Sequence, residues 1–340
     1  MTTSSTAWTE PGAYEVAPGV YRIPLPMPND GLRAVNVYAI EDGDGVVLVD
    51  AGWDVPEARE TLRSALDSLG YELADVRRIL ATHVHRDHYT LGVALRREFG
   101  MPIALGEGER QTLRAMFDEE TAGRMGELRR WGAEEHLAEL AASYDPDAVR
   151  RSYDWPDEWI DDVVDIELNK RVLRAVPTPG HTRGHVVFCD TGSGLLFSGD
   201  HVLPHITPSI GFEPAMASSP LGDFLRSLRG LRDYADMRLL PAHGPVTESA
   251  HTRVAELLEH HDRRLADTAR AVSEDGARTV YEAAGRLGWT RRARSFTELD
   301  AFNRFLAVAE TAAHLRLLAE RGRLNVRSVD GVDYYSPVTP

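Results

Sequence analysis

The stretch Val76-Arg77-Arg78-Ile79-Leu80-Ala81-Thr82-His83-Val84-His85-Arg86-Asp87-His88 carries the decisive pattern of this chain. Residues 76–81 read as a short apolar strand that runs straight into a histidine cluster. Side chains two apart on a strand point to one face, so His83 and His85 can grip one ion together. Asp87 and His88 follow where the chain leaves the strand, and a turn there would aim them at a second point nearby. Imidazole and carboxylate together suit zinc, iron or manganese, and no thiolate accompanies them to select softer chemistry.

Outward from this run, residues 14–108 alternate between strand and helix patterns. Strands are expected at 20–23, 34–40, 45–49 and 102–105, with the turn Glu41-Asp42-Gly43-Asp44 between the second and third. Ala58, Leu62, Ala65, Leu66 and Leu69 predict a helix over 56–69, closed by Gly70. Another is expected over 91–99, ended by Gly100. Residues 109–162 are acidic and helical in pattern, with Met116, Phe117, Met125, Leu128, Trp131, Leu137, Leu140 and Tyr144, then Tyr153, Trp155 and Trp159. They read as a helical insertion across a sheet edge or over a cleft, its aromatic residues either lining a pocket or closing a core. Strand patterns return at 172–176, 186–189, 195–197 and 238–240, with a helix over 220–234. Later helices are expected at 252–273, 279–287 and 299–320, followed by two short strands about Asp330-Gly331. Three helices and a hairpin suggest a small winged-helix-like domain, dividing the chain into 1–250 and 251–340.

Three more candidates follow short apolar runs bounded by Gly or Pro: His181 in Thr178-Pro179-Gly180-His181, Asp200 in Phe197-Ser198-Gly199-Asp200, and His243 in Leu240-Pro241-Ala242-His243-Gly244. Such loops beyond strand ends are where α/β folds carry functional groups. A carboxylate such as Asp200 can bridge two ions with its two oxygens. One histidine at a strand end is ordinarily a polar loop residue, but seven such groups in order, four of them within six positions, are a constellation. His136, His251, His260, His261 and His314 fall in helical segments and read as solvated helix residues. His185, His201 and His205 lie nearer the motifs, as supporting or substrate-facing groups.

Together these motifs resemble the metallo-β-lactamase superfamily, over residues 15–250: the His-x-His-x-Asp-His run, the later Gly-His, the Ser-Gly-Asp and the Ala-His-Gly stand in the family's order. The resemblance implies an α/β fold, a four-layer αββα sandwich with metals at one edge between the sheets. It implies that His83, His85 and His181 hold one metal, that Asp87, His88 and His243 hold a second, and that Asp200 bridges them. Two divalent ions are thus expected, zinc first, with iron or manganese suited to the same ligands. The nucleophile would be a hydroxide bridging the ions, with Asp87 as the catalytic residue that positions it or relays a proton. Asp50, Thr82 and Thr182 are expected to orient the ligand imidazoles from behind. Tyr89, Trp131, Tyr153, His205 and Phe212 are expected to face the substrate.

Within the family, the Thr178–Thr182 motif resembles the glyoxalase II and thioesterase branches, and the stretch from Phe197 to Pro204 with the helical extension resembles the lactamase-β-2-like branch. These imply hydrolysis of a thioester of CoA, a carrier protein or glutathione. Single-strand endoribonuclease, ester, lactone and phosphodiester hydrolysis stand as alternatives, and a non-catalytic metal-binding regulatory protein is the alternative of another class.

Composition narrows the partners. The chain of 340 residues is 43% hydrophobic and 27% charged, the range of a soluble globular protein. No apolar run approaches the roughly 20 residues of a membrane span, and the N-terminal residues lack a basic-then-apolar signal pattern, so a cytoplasmic location is expected. The single cysteine, Cys189, excludes an internal disulfide and reads as a core residue. A net charge of -15 repels phosphate backbones and anionic lipid. The expected partner is therefore a small-molecule or carrier-bound acyl substrate rather than a membrane or nucleic acid; a homodimer is compatible with this. Lys170 is the only lysine, a bias that genomic base composition explains. Arg286, Arg291, Arg292 and Arg294 surround Trp289 in a local basic patch. It could contact RNA phosphates and stack a base, receive the phosphates of a CoA-type substrate, or pair with the acidic insertion.

Overall fold

The computed structural model describes residues 7–117, 122–136, 146–289 and 294–338. Leu137, Leu140, Tyr144, Arg291 and Arg292 lie outside the described residues, as does the side chain of Met125. Tyr14–Ala17 (β1), Val20–Pro26 (β2), Ala34–Asp42 (β3), Gly45–Val49 (β4), Val76–Leu80 (β5), Ile103–Gly106 (β6) and Glu158–Ile160 (β7) form one sheet in that order. The first four strands pair antiparallel; β4 to β7 are parallel. Parallel neighbours need a crossover of a dozen or more residues. Helix Pro56–Ser68 (α1) joins β4 to β5, and Arg86–Phe99 (α2) joins β5 to β6. The acidic segment expected as an insertion is the third such crossover: Glu109–Phe117 (α3), Ala122–Arg130 (α4) and Pro146–Ser152 (α5) lead from β6 to β7. Its last residues are thus a strand of the sheet, a correction to the helical reading of 109–162.

Val164–Glu167 (β8), Val172–Pro177 (β9), Val186–Asp190 (β10), Leu195–Gly199 (β11) and Arg238–Pro241 (β12) form a second sheet, and Pro220–Gly230 (α6) crosses from β11 to the parallel β12. Period-two burial sets the layers. On β4, Val46 and Leu48 pack with α1 and α2 residues such as Leu62 and Leu91, while Val47 and Val49 face inward. On β10, Val186 and Phe188 meet those inward residues, while Val187 and Cys189 face the other way. The outer face of the second sheet is covered by α6 and by Ala250–Ser273 (α7), Val280–Arg286 (α8) and Ala301–Glu320 (α9). The result is helices, sheet, sheet, helices: a four-layer αββα sandwich.

Helix α9 is buried on every side, with Phe305, Val308, Thr311, Ala312, Leu315 and Leu318 all inside, as a central helix must be. One continuous core therefore holds residues of the second sheet and of the 251–340 segment. Leu324–Val329 (β13) and Val332–Pro337 (β14) close the chain as a hairpin. Its turn residues Asp330 and Gly331 have φ of 51° and 83°, the left-handed pair that suits a tight hairpin. Among the described residues, no helix is long and apolar enough to cross a membrane.

Candidate metal centre

The motif run is split between two elements. Strand β5 ends at Leu80, and α2 begins at Arg86 with His85 in extended backbone at its N-cap. The helix was expected from 91 onward; it starts one turn earlier. Asp87 and His88 therefore lie in the first helical turn and not on a free turn. A carboxylate is favourable there because it meets the unpaired N–H groups. The remaining candidates arrive from the second sheet: His181 after β9, Asp200 after β11 and His243 after β12.

Seven donors converge in two groups, His83, His85, His181 and Asp200 in one, Asp87, His88 and His243 in the other. His83 Nε2, His85 Nδ1 and His181 Nε2 lie 2.9, 3.1 and 3.3 Å from one another. An ion bound tetrahedrally at roughly 2.0–2.1 Å from each nitrogen would set them roughly 3.3–3.4 Å apart, so the spacing fits a cation. Asp200 Oδ2 is 3.5 Å from His181 Nε2, while its Oδ1 is 3.4 Å from His243 Nε2 and 3.6 Å from His88 Nε2. One carboxylate thus offers an oxygen to each group. Asp87 Oδ2 completes the second, 3.3 Å from His243 Nε2 and 3.5 Å from His88 Nε2.

The far nitrogens explain why the near ones are free. His181 Nδ1 donates to Ser209 O at 2.8 Å, and His243 Nδ1 to Ala34 O at 2.8 Å. His88 Nδ1 donates to Asp50 Oδ2 at 2.8 Å. The Thr82 hydroxyl also donates to Asp50 Oδ2, at 3.0 Å, so it must accept from His83 Nδ1, 3.0 Å away. Asp50 therefore fixes a ring in each group, and its own backbone is held at φ 60°, a strained value for a non-glycine residue. Each of these rings turns its other nitrogen inward. His88 Nε2, His243 Nε2 and Asp200 Oδ1 are buried without a hydrogen-bond partner among the described residues. Leaving such an atom unsatisfied costs about 1–3 kcal/mol, and cations on the two donor groups would satisfy all three.

Burial drives His83 well below the ordinary imidazole range and His85 down to about 3; neighbouring histidines reinforce it. Burial also pushes on His88, but Asp87, Asp50 and Asp200 outweigh it and raise that ring to about 10. Asp87 is desolvated too, yet His88 and His243 hold its carboxyl far below the usual range. One group is thus a set of neutral nitrogens, the other an array of opposite charges.

The supporting residues divide. Asp50 and Thr82 touch ligand rings as described. Thr182 does not: its hydroxyl donates to Glu109 Oε1, so its expected bond to a ligand is corrected. His185 is fully buried; its Nε2 accepts from Asp200 N at 3.2 Å and its Nδ1 meets Thr178 Oγ1 at 2.9 Å. Gly199 has φ 49°, and a Cβ there would lie 2.6 Å from Thr82 Oγ1 and 2.8 Å from His185 Nε2, so only glycine lets Asp200 approach.

Of the expected substrate-facing residues, Phe212 stands 5.7 Å from the His85 ring, centroid to centroid. It joins Trp131, Met216, Phe305, Glu127 and Glu213 around a small cleft, with room for about one water molecule. His205 is exposed beside Gly244. Tyr89 and Tyr153 are placed elsewhere. They stack on each other in the core outside the first sheet, and Tyr89 Oη donates to Asp154 O, which corrects their assignment to the substrate. Trp289 is likewise buried, its Nε1 bonded to Ala284 O and its face under Arg264, so it is not free to stack a base. His261 and His314 are fully buried rather than solvated. The sequence pattern did not point to Glu109 or to the carbonyls of Ala34 and Ser209; backbone acceptors leave no mark in side-chain sequence.

The sequence model described as the Metallo-beta-lactamase superfamily matches residues 30–243. A beta-lactamase domain protein from Burkholderia ambifaria is 27% identical, with a TM-score of 0.82 over 99% of this chain and 96% of its own. A metallo-beta-lactamase family protein from Thermus thermophilus is 28% identical, with a TM-score of 0.78 over 95% and 100%. The "Probable metallo-hydrolase YqjP" of Bacillus subtilis (strain 168) is 24% identical over 319 residues, 87% of this chain and 90% of that one. With its family model spanning β3 to β12 and reaching His243, its αββα layers and its converging histidines and aspartates, this chain belongs to the metallo-β-lactamase superfamily, as a metallo-hydrolase.

Proposed function

We propose that this chain is a dinuclear-metal thioester hydrolase. The observation that carries the dinuclear reading is Asp200, whose two oxygens reach the two donor groups separately. His83, His85 and His181 would hold one ion, Asp87, His88 and His243 the other. Zinc is the first choice, with iron or manganese suited to the same donors. Bound there, two divalent ions supply Lewis acidity toward an acyl carbonyl and make water a nucleophile near neutral pH.

The chain's own residues do the rest. Asp87, ionised across the neutral range, has a second oxygen that can accept a hydrogen bond from the attacking water and orient it. Phe212, beside His85, and the neighbouring Trp131, Met216 and Phe305 offer an apolar surface against which an acyl group would lie. Their apolar walls favour an acyl ester over a phosphodiester, and buried Trp289 further weakens the ribonuclease alternative. In this reading His205, exposed beside Gly244, meets the leaving group. Residues 1–250 form the catalytic unit in this reading, and residues 251–340 supply a wall of the cleft through Phe305. The single, buried Cys189 suits a cytoplasmic setting.

The test is a panel of acyl-CoA, acylglutathione, lactone, phosphodiester and single-stranded RNA substrates on metal-reconstituted protein. Thioester turnover lost on chelation and in His85→Ala is expected. Turnover that survives His85→Ala would falsify the metal-hydrolase reading; cleavage of RNA alone would replace the thioester by the nuclease.

A further inference from the structure

We propose that Glu109 is a positioning residue for the three-histidine metal position: with Glu213, it ties the loop carrying His181 to the loop carrying His83 and His85. The inference rests on the reading of those histidines as ligands and goes beyond it to what holds them together. Glu109 is the first residue of α3 and is fully buried. Its Oε1 accepts from the Thr182 hydroxyl, next in sequence to His181. The backbone N–H groups of Val84, between His83 and His85, and of Gly184 stand near the same carboxyl and favour its charged form, while its Oε2 completes no hydrogen bond. One side chain thus stands between a loop from each sheet. Glu213 extends the link: its Oε1 accepts from Arg183 N at 2.8 Å and from Thr112 Oγ1 at 3.2 Å.

The backbones leave no room for any other arrangement. A Cβ on Gly108 would lie 2.3 Å from Arg183 O, and one on Gly184 would lie 2.2 Å from Glu109 N. The segment entering α3 and the loop after His181 are therefore in direct main-chain contact. A buried carboxyl costs free energy unless its hydrogen bonds are made, so an apolar residue would serve better if filling space were the only task. Burial pushes Glu109 up to about 7 and Glu213, beside it, up to about 8. Supporting hydrogen bonds of this kind set metal affinity by roughly 10–100-fold.

The experiment uses the full chain, stripped of metal and titrated with Zn2+ and with Co2+ against a competing chelator. Glu109→Gln should lower the affinity of one of two ions roughly 10–100-fold and shift the visible spectrum of the cobalt form. Thr182→Val, which removes only the hydroxyl donor, should move both in the same direction by less. Glu310→Gln, a half-buried carboxyl between the C-terminal helices, should leave both unchanged. In turnover, kcat should fall in Glu109→Gln with KM unaltered. Wild-type affinity and spectrum in both Glu109→Gln and Thr182→Val would overturn the proposal. If Glu109→Gln fails to fold, Thr182→Val decides alone. A wild-type chain that binds two ions but cleaves no thioester would remove the substrate reading and leave this comparison intact; one that binds no metal would remove both.

Discussion

The histidines between the two sheets, the half-buried His85 aside, are as buried as the pair between α7 and α9, yet their ring nitrogens meet different fates. In the pair, His314 Nδ1 donates to Glu310 O at 2.7 Å, and His314 Nε2 lies 3.3 Å from His261 Nδ1, which must then donate to it. His314 uses both of its nitrogens, His261 Nε2 is left without a partner among the described residues, and the donors that could hold an ion do not gather there as a third group among those residues. Between the sheets, the far nitrogens of four rings are pinned by Ser209, Ala34, Asp50 and Thr82, and the near ones converge with carboxylates among them. Burial pushes a histidine toward neutrality in either place; convergence of inward nitrogens with carboxylates is what makes a ligand set.

The most damaging way to probe this contrast is Asp200→Ala. It should weaken both ions, reduce metal content below two per chain, and cost more turnover than the roughly 10–100-fold of a supporting residue. Metal analysis after gel filtration checks it; two ions retained at full affinity would mean that the carboxylate serves neither. Asp50→Asn is milder. Because Asp50 holds His88 directly and His83 through Thr82, affinity at both positions should drop by roughly 10–100-fold, measured by chelator competition. A change at one position alone would break the Thr82 link.

The smallest effect concerns the helix pair and pH. Burial holds His314 down to about 3 and His261 well below the ordinary value. Groups depressed in the folded state contribute stability above the unfolded value of about 6.5 and lose it as pH falls through the folded value. The loss is at most about 1.4 kcal/mol per pH unit for each ring. Thermal unfolding should therefore decline less steeply from pH 7 to pH 4 in a His261→Leu, His314→Leu chain than in the parent, with metal content equal. An unchanged slope would show that the pair does not take up protons on unfolding.

Much of the metal centre was legible because its donors are clustered in sequence or punctuated by Gly and Pro at strand ends. Strand periodicity likewise placed β3, β4, β9 and β10 within a residue or two at most strand ends. Three failures share one cause, the neglect of what lies on the far side of an element. His261 and His314 occupy helix positions that look polar until α9 is seen to be enclosed on all sides. Tyr89 follows a ligand in sequence, but on a helix the next residue points elsewhere, here into the core behind the first sheet. The strand Glu158–Ile160 is only three residues long, and its charged and aromatic composition hid it within helical surroundings. Glu109 gave no signal at all, since a glutamate at a helix start ordinarily faces water.

The enclosure of α9 has a consequence for synthesis. A chain emerging from the ribosome completes its first sheet once Ile160 has appeared, and folding can begin there. The outer face of the second sheet, with Val187, Cys189, Leu196 and Leu239, shares its core with Phe305, Val308 and Leu315, which emerge last. Until then that face is apolar and bare, the condition in which nascent chains associate wrongly. The half of the centre that carries His181, Asp200 and His243 is thus the half whose support arrives late, and a truncated transcript would yield a chain with its ligands encoded but its second sheet uncovered.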